Sequence, residues 1–225
     1  MKAFVICCEV PAPASIDQKQ AAKYFGVRGN DPASEALLAR LAPAVLAAAA
    51  PRMAWTACDL PDTNGLLAGR DIRAHLAGCR GYVLLGVTLG AQMDQAIRRA
   101  GIGNVAAGAA ADALASALAE QVCDTAEQML RDRFAAEGRW LTGRYSPGYG
   151  DWPLSAQQPI ARLLDLPRRL GVTVTDTCLM LPRKSVTALL GWADHPVTGR
   201  RAGCATCALR QRCEYRKRGT TCESE

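Results

Sequence analysis

The residues best suited to bind a small molecule lie close together between Arg144 and Pro153. Pro147 followed by Gly148 suits the two central positions of a type II turn, where the second residue needs a positive φ. Arg144 beside this turn offers a forked donor for a carboxylate. The same stretch holds three aromatic residues that could face a ring or a sulfonium: Tyr145, Tyr149 and Trp152. The pattern predicts a small-molecule cradle, and the alternative is a surface turn whose aromatic residues cover the edge of a core.

The C-terminal tail carries a cluster of cysteines, Cys204, Cys207, Cys213 and Cys222. The spacing of the first pair lets both sulfurs face one ion from a single turn, as in zinc sites and iron-sulfur proteins. Zinc would make the tail a structural knuckle, whereas an iron-sulfur cluster could pass single electrons. Cys222 lies in a segment that we expect to fray, and Cys178 is the alternative fourth ligand.

Composition and charge indicate a globular body with a basic tail. Of the 225 residues, 49% are hydrophobic and 21% are charged. The formal net charge is +6, and most of the excess lies in residues 200–225, which hold seven Arg or Lys against three Glu. The N-terminal apolar run is too short for a signal peptide, and residues 105–122 are too polar for a spanning helix. We therefore expect a cytoplasmic protein whose cysteines are reduced thiols or metal ligands.

Histidine-based chemistry is poorly supported by the sequence. His75 and His195 are the two histidines of the chain, which is too few for a His-rich metal site and gives no sign of a Ser-His-Asp triad. The glycines within residues 86–90 and 101–104 lack the spacing of a phosphate loop or a dinucleotide fingerprint. We expect these glycines to mark helix boundaries.

The hydrophobic pattern predicts the elements that must position the Arg144 turn. The predicted strands are residues 3–10, 81–89, 172–181 and 185–190. The predicted helices are residues 34–46, opened by Asp31 and Pro32, and residues 91–100, 105–136 and 154–166. The last two strands flank Pro182, Arg183 and Lys184, and we expect them to form a hairpin or to pair. Helices and strands mixed without a regular βαβ rhythm indicate an α+β fold.

Two motifs resemble the activation domain of cobalamin-dependent methionine synthase. The Arg-x-x-Pro-Gly-Tyr motif at residues 144–149 is similar to the S-adenosylmethionine loop of that domain. Residues 175–186 are similar to its Thr-Glu-Ser-Phe-Ala-Met-Trp-Pro-x-x-Ser-Val run, and a His-Pro pair at residues 195–196 follows at the matching distance. The Ala-rich helix around Glu120 also resembles the family helix before the loop. The resemblance covers about residues 80 to 197.

The resemblance implies a fold and a division of the chain. The fold is a twisted, mainly antiparallel sheet flanked by helices, and we expect it over residues 1–198. Residues 199–225 would form a small Cys-rich metal or cluster appendage. In the fused family domain, a tyrosine-bearing strand follows the His-Pro pair and also meets the ligand, and here the Cys-rich tail takes its place.

The resemblance also implies a set of cofactor-binding residues for S-adenosylmethionine. Arg144 would pair with the carboxylate of the ligand, and the backbone around Ser146 and Gly148 would hold its polar edges. Tyr149 would contact the amino-acid or adenosyl part. Glu120 would bind the ammonium or an ordered water, although an exposed helix glutamate is the simpler interpretation. Position 146 is Ala in the family, a change that a backbone contact tolerates.

The leading functional hypothesis is a reactivation subunit that binds S-adenosylmethionine. It would support reductive methylation of the cob(II)alamin form of a cobalamin-dependent methionine synthase or a related corrinoid protein. The partner would supply the cobalamin, because this sequence has no Asp-x-His-x-x-Gly cobalt-ligating motif. The electron would come from a flavodoxin-like or ferredoxin-like donor, and a cluster in the tail could relay it.

Two further interpretations stay open at the level of sequence. Arg183 and Lys184 could be solvated surface cations, or they could dock an acidic electron donor or the corrinoid edge. The rival function is a non-catalytic zinc-binding interaction module whose basic tail binds nucleic acid or an acidic protein. Tyr215 is the one aromatic residue of the tail, so binding of nucleic acid by base stacking is poorly supported.

Overall fold

A computed structural model describes residues 4–27, 31–63, 65–199 and 211–213. The five strands of the main sheet are β1 (Ile6–Glu9), β2 (Arg52–Asp59), β3 (Gly81–Thr88), β4 (Trp140–Leu141) and β7 (Ser185–Ala193). They lie in the order β1-β2-β3-β7-β4, and every neighbouring pair is antiparallel. A separate two-stranded sheet joins β5 (Thr173–Val174) to β6 (Met180–Leu181). The predicted α+β fold with an antiparallel sheet is confirmed.

Helices cover both faces of this sheet. They are α1 (Gln18–Phe25), α2 (Pro32–Ala47), α3 (Arg70–His75), α4 (Ala91–Gly101), α5 (Val105–Ala135), α6 (Gln157–Leu163) and α7 (Leu166–Leu170). The side chain of Asp31 accepts a hydrogen bond from the Ser34 backbone N–H at 3.2 Å, so the predicted cap of α2 is confirmed. Asn104 caps α5 in the same way, and its position confirms the helix boundary predicted at residues 101–104. No helix in the described part of the chain is both long and apolar enough to span a membrane.

The central strand β3 explains why two cores form. All eight of its residues are buried. Val83, Leu85 and Val87 face a first core, which the sheet forms with α1, α2, α4 and α5. Tyr82 and Leu84 point the opposite way into a second core, which contains α3, α6, α7 and the segment after β4. A uniformly apolar strand is what a sheet buried on both faces requires.

The predicted pairing of residues 172–181 with residues 185–190 is wrong. The first run folds back on itself as β5 and β6, because the Thr175 N–H donates to the Leu179 carbonyl at 2.8 Å and closes a tight turn. Cys178 within this turn has a φ of 63°. β7 instead pairs with β3 along its length and extends to Ala193. Strand β2, which the sequence pattern did not predict, lies between β1 and β3.

The two cations between β6 and β7 differ in environment. The Lys184 side chain is 11% exposed, and its Nζ lies 3.0 Å from Asp112 Oδ1 and donates to Ser116 Oγ at 2.8 Å. Arg183 is 61% exposed, with one guanidinium nitrogen 3.4 Å from the same Asp112 oxygen. Lys184 therefore fixes the start of β7 to α5, and of the two interpretations left open, that of solvated surface cations is wrong for this residue.

Candidate functional site

Arg144 follows β4 and lies over one face of α5. Its guanidinium contacts three carboxylates of that helix, with nitrogen-to-oxygen distances of 2.7 Å to Asp124, 3.1 Å to Glu127 and 3.8 Å to Glu120. Residues spaced by three or four positions share a helix face, which is why one arginine reaches all three. The structure thus brings Glu120 and Arg144 together, as the predicted site requires. Sequence reasoning missed Asp124 and Glu127, although their spacing from Glu120 was a usable signal.

The arginine is largely enclosed and remains charged. The Arg144 side chain is 18% exposed. Burial disfavours its charged form, but the hydrogen bond with Asp124 and the surrounding negative charges outweigh that effect and raise the pKa of the guanidinium above its ordinary value. Glu127 is 17% exposed and also pairs with Arg131 at 2.6 Å. Arg131 donates to the Leu141 carbonyl at 2.7 Å, so the pair connects α5 to β4 and keeps the Arg144 segment against the helix.

The turn after Arg144 has the geometry that its sequence predicts. The Tyr149 N–H donates to the Ser146 carbonyl at 3.2 Å, and Gly148 between them has a φ of 93°. A positive φ at the residue after Pro147 is the mark of a type II turn, so this prediction is confirmed. Gly148 and Tyr149 are exposed, and Ser146 is half-buried. The backbone of Gly148 and the phenol ring of Tyr149 therefore face the solvent beside Arg144.

Two of the three aromatic residues in the segment from Arg144 to Pro153 are structural. Trp152 is 1% exposed, and its indole N–H donates to the Leu66 carbonyl at 2.8 Å. Tyr145 is 3% exposed and exchanges two backbone hydrogen bonds of 2.8 Å with Leu189 of β7. Both side chains belong to the second core, so the expectation that they face a ligand is wrong. Tyr149, at 55% exposed, is the aromatic residue of the segment that a ligand can reach.

The far end of the segment is fixed by Asp151. Its carboxylate accepts backbone hydrogen bonds from Arg70 at 2.8 Å and Asp71 at 2.9 Å, and so caps the first turn of α3. Gly69, at the N-cap position of that helix, has no side chain that could accept these hydrogen bonds. The N–H groups of Asp71 and Arg70 stabilise the carboxylate and hold the pKa of Asp151 below its ordinary value.

We expect acid to remove the stabilisation that Asp151 provides. A carboxyl with a lowered folded-state pKa stabilises the fold above its unfolded-state pKa, and this contribution is lost as the pH falls through the folded-state value. Asp151→Asn should lower the urea midpoint at pH 6, and its difference from the wild type should shrink as the pH falls below the ordinary carboxyl pKa of about 4. The exposed Asp59→Asn is the control. A difference between Asp151→Asn and the wild type that stays constant with pH would contradict this role.

Gly150 permits the close contact between the segment and α3. Its φ is 55°, and a Cβ at this position would overlap the Asp71 carboxylate and the Tyr145 hydroxyl. Gly138 has a similar φ of 69° but open space around it. Alanine at either position should lower the free energy of unfolding by about 1 kcal/mol through the backbone conformation alone. We expect Gly150→Ala to cost clearly more than Gly138→Ala in urea denaturation, and equal losses would show that the contact yields easily.

The predicted metal site lies mostly outside the described residues. Cys204, Cys207 and Cys222 are not among them, and Cys213 is. Within residues 4–27, 31–63, 65–199 and 211–213, no group of three or more His, Cys, Asp or Glu side chains could hold a metal ion. The described cysteines are free thiols. Cys123 is buried beneath Arg144, and burial raises the pKa of its thiol to about 12.

A second concave surface lies away from the turn. It is a groove of about 450 Å³ between α1, α4 and the first half of α5. Its lining includes Tyr24, Gly108, Asp112, Ser116 and Arg183. Arg144 and Tyr149 are not part of this lining, so the groove and the Arg144 turn are separate surfaces.

Comparison with known proteins gives two matches. A sequence profile for the family described as vitamin B12 dependent methionine synthase, activation domain, matches residues 85–219. Among solved structures, the chain is similar to the crystal structure of the MetH reactivation domain bound to AdoHcy, with a TM-score of 0.62 and 16% sequence identity. That similarity covers 98% of this chain and 87% of the other, so it extends the shared fold to the N-terminal strands and helices. No curated protein sequence matches the chain significantly.

Proposed function

Because the chain belongs to the family of activation domains of vitamin B12-dependent methionine synthase, we propose that it binds S-adenosylmethionine and supports reductive methylation of a corrinoid protein. The corrinoid partner would be the cob(II)alamin form of a cobalamin-dependent methionine synthase or a related methyl-transfer protein. S-adenosylmethionine supplies the methyl group, and the partner supplies the cobalamin. An external flavodoxin-like or ferredoxin-like protein would supply the electron.

The observation that carries this proposal is the state of Arg144. The guanidinium is charged, 18% exposed and held by carboxylates at the edge of an exposed turn. It belongs to the Arg-x-x-Pro-Gly-Tyr motif at residues 144–149. A rigid, charged fork that still has an exposed side suits the α-carboxylate of an amino-acid ligand. The MetH reactivation domain, which shares this fold, binds AdoHcy.

The charge of the cluster suits a cationic ligand. Three carboxylates, those of Glu120, Asp124 and Glu127, face the two guanidiniums of Arg131 and Arg144. The cluster therefore carries one excess negative charge. S-adenosylmethionine has a carboxylate, an ammonium and a sulfonium, and so it carries a net positive charge that this excess would attract.

The arrangement supports a role for each predicted contact residue. Arg144 would bind the carboxylate of the ligand, and the nearby Glu120, whose side chain is 53% exposed, would bind its ammonium. The exposed ring of Tyr149 would lie against the adenosyl or amino-acid part. The half-buried Ser146 and the exposed Gly148 would offer backbone groups to its polar edges. Gly148 and Tyr149 are exposed, so docking of the corrinoid partner would exclude water from the methyl group.

The proposal retains the division of the chain. Residues 1–198 would form the ligand-binding domain, and residues 199–225 would form the appendage. Its ligands would be Cys204, Cys207, Cys213 and Cys222, holding zinc or an iron-sulfur cluster. A brown anaerobic preparation would identify the cluster, and a colourless one containing zinc would identify the knuckle.

An anaerobic absorbance assay tests the function. A corrinoid protein in its cob(II)alamin form would be mixed with S-adenosylmethionine, a chemical one-electron donor and the full chain. We expect the methylcob(III)alamin spectrum to develop only when all of these components are present. S-adenosylhomocysteine in place of S-adenosylmethionine is the control, because it has no methyl group to transfer. Equal conversion with and without the chain, for each corrinoid protein supplied, would contradict the proposal.

A further inference from the structure

The accessible side of Arg144 is already occupied by a residue of the chain itself. Its Nη1 is buried, 3.1 Å from Glu127 Oε2. Its Nη2 points toward the exposed end of the cluster, 2.7 Å from Asp124 Oδ1 and 3.8 Å from Glu120 Oε2. A carboxylate that arrives from the solvent at Nη2 therefore meets the oxygen of Asp124 there.

The two closer carboxylates differ in how firmly they are held. The Asp124 side chain is 73% exposed and can turn into water at little cost, because exposed ion pairs are weak. Glu127 is 17% exposed and accepts hydrogen bonds from Arg131 at 2.6 and 3.0 Å. Removing Asp124 from Nη2 would thus leave the Arg144–Glu127 ion pair, 3.1 Å between Nη1 and Oε2, in place.

We propose that Asp124 occupies the position of the ligand carboxylate on Arg144 and is displaced when the ligand binds. This inference rests on the proposed function, and it adds a residue that determines specificity. Asp124 keeps the guanidinium paired while the ligand is absent, and it competes with the carboxylate when the ligand arrives. Its removal should therefore favour ligands with an α-carboxylate and leave ligands without one unaffected.

A pair of ligands tests this competition in the full chain. S-adenosylhomocysteine carries the amino-acid group, and 5′-methylthioadenosine has the same adenosyl thioether without that group. Calorimetric titration would give both affinities for the wild type and for Asp124→Ala. We expect Asp124→Ala to tighten S-adenosylhomocysteine binding about two- to fivefold, the size of an exposed ion pair, and to leave 5′-methylthioadenosine unchanged. Asp132→Ala, an exposed aspartate farther along α5, is the matched control and should change neither affinity.

The outcomes separate this inference from the proposed function. Weaker S-adenosylhomocysteine binding by Asp124→Ala would make Asp124 a direct ligand contact and would overturn the competition. An equal change for both ligands, or no change for either, would also overturn it while the proposed function stands. A wild type that binds neither of these ligands nor S-adenosylmethionine would overturn both.

Discussion

Arg144→Ala is expected to weaken S-adenosylmethionine binding about 10- to 100-fold. A hydrogen-bonded contact with a charged group contributes roughly 1.5–3 kcal/mol, and each 1.4 kcal/mol is a factor of ten in affinity. The variant should still fold, because Glu127 keeps its contacts with Arg131 at 2.6 and 3.0 Å. Calorimetric titration would measure the affinity, and far-ultraviolet circular dichroism would confirm the fold.

Two variants make the test of Arg144 specific. Arg183→Ala removes the same charge from a residue that also pairs with α5. Arg183 is 61% exposed and lines the groove between α1, α4 and α5. We expect its affinity for S-adenosylmethionine to match the wild type. Arg144→Lys keeps the charge without the fork and should fall between the wild type and Arg144→Ala. Wild-type affinity in Arg144→Ala would rule out this arginine as the carboxylate contact.

Trp152→Ala is expected to lower the free energy of unfolding by about 3–5 kcal/mol. The indole is 1% exposed in the second core, so its removal leaves a cavity. It also leaves the Leu66 carbonyl, now 2.8 Å from the indole nitrogen, without that donor. Urea denaturation at neutral pH would measure the loss.

The comparison with Trp140 separates packing from ligand binding. Trp140 lies in β4 and is 44% exposed, so Trp140→Ala should cost less stability than Trp152→Ala. Trp152→Phe keeps most of the ring and should lose roughly 1–3 kcal/mol, chiefly through the unsatisfied carbonyl. If Trp152→Ala instead kept its stability and lost ligand affinity, the indole would be a ligand contact and its assignment to the core would be wrong.

Local chemistry made part of the site predictable from sequence. Pro147 and Gly148 determine their own turn through the φ values that each favours, and no distant contact is needed. Asp31 and Asn104 cap their helices for the same local reason. The buried strand β3 was also clear, because a run with both faces in contact with apolar neighbours is apolar throughout.

The parts that failed depend on contacts between distant segments. The burial of Tyr145 follows from its pairing with Leu189, which local pattern does not reveal. The burial of Lys184 depends in the same way on Asp112 of α5. Strand β2 is recognisable only from its register between β1 and β3.

The acidic face of α5 shows the same limit. The helix runs from Val105 to Ala135, and its many small residues give no clear polar side. The spacing of Glu120, Asp124 and Glu127 could place them on one face, but the packing against β4 decides that this face meets Arg144. The family motif predicted Glu120 alone.

A crystal structure of the full chain with S-adenosylmethionine tests the central claim most directly. The account predicts one ligand at the Arg144 turn, with its carboxylate within hydrogen-bond distance of the guanidinium and its adenosyl group beside Tyr149. A ligand bound instead in the groove between α1, α4 and α5, with Arg144 still paired to Asp124, would contradict the account.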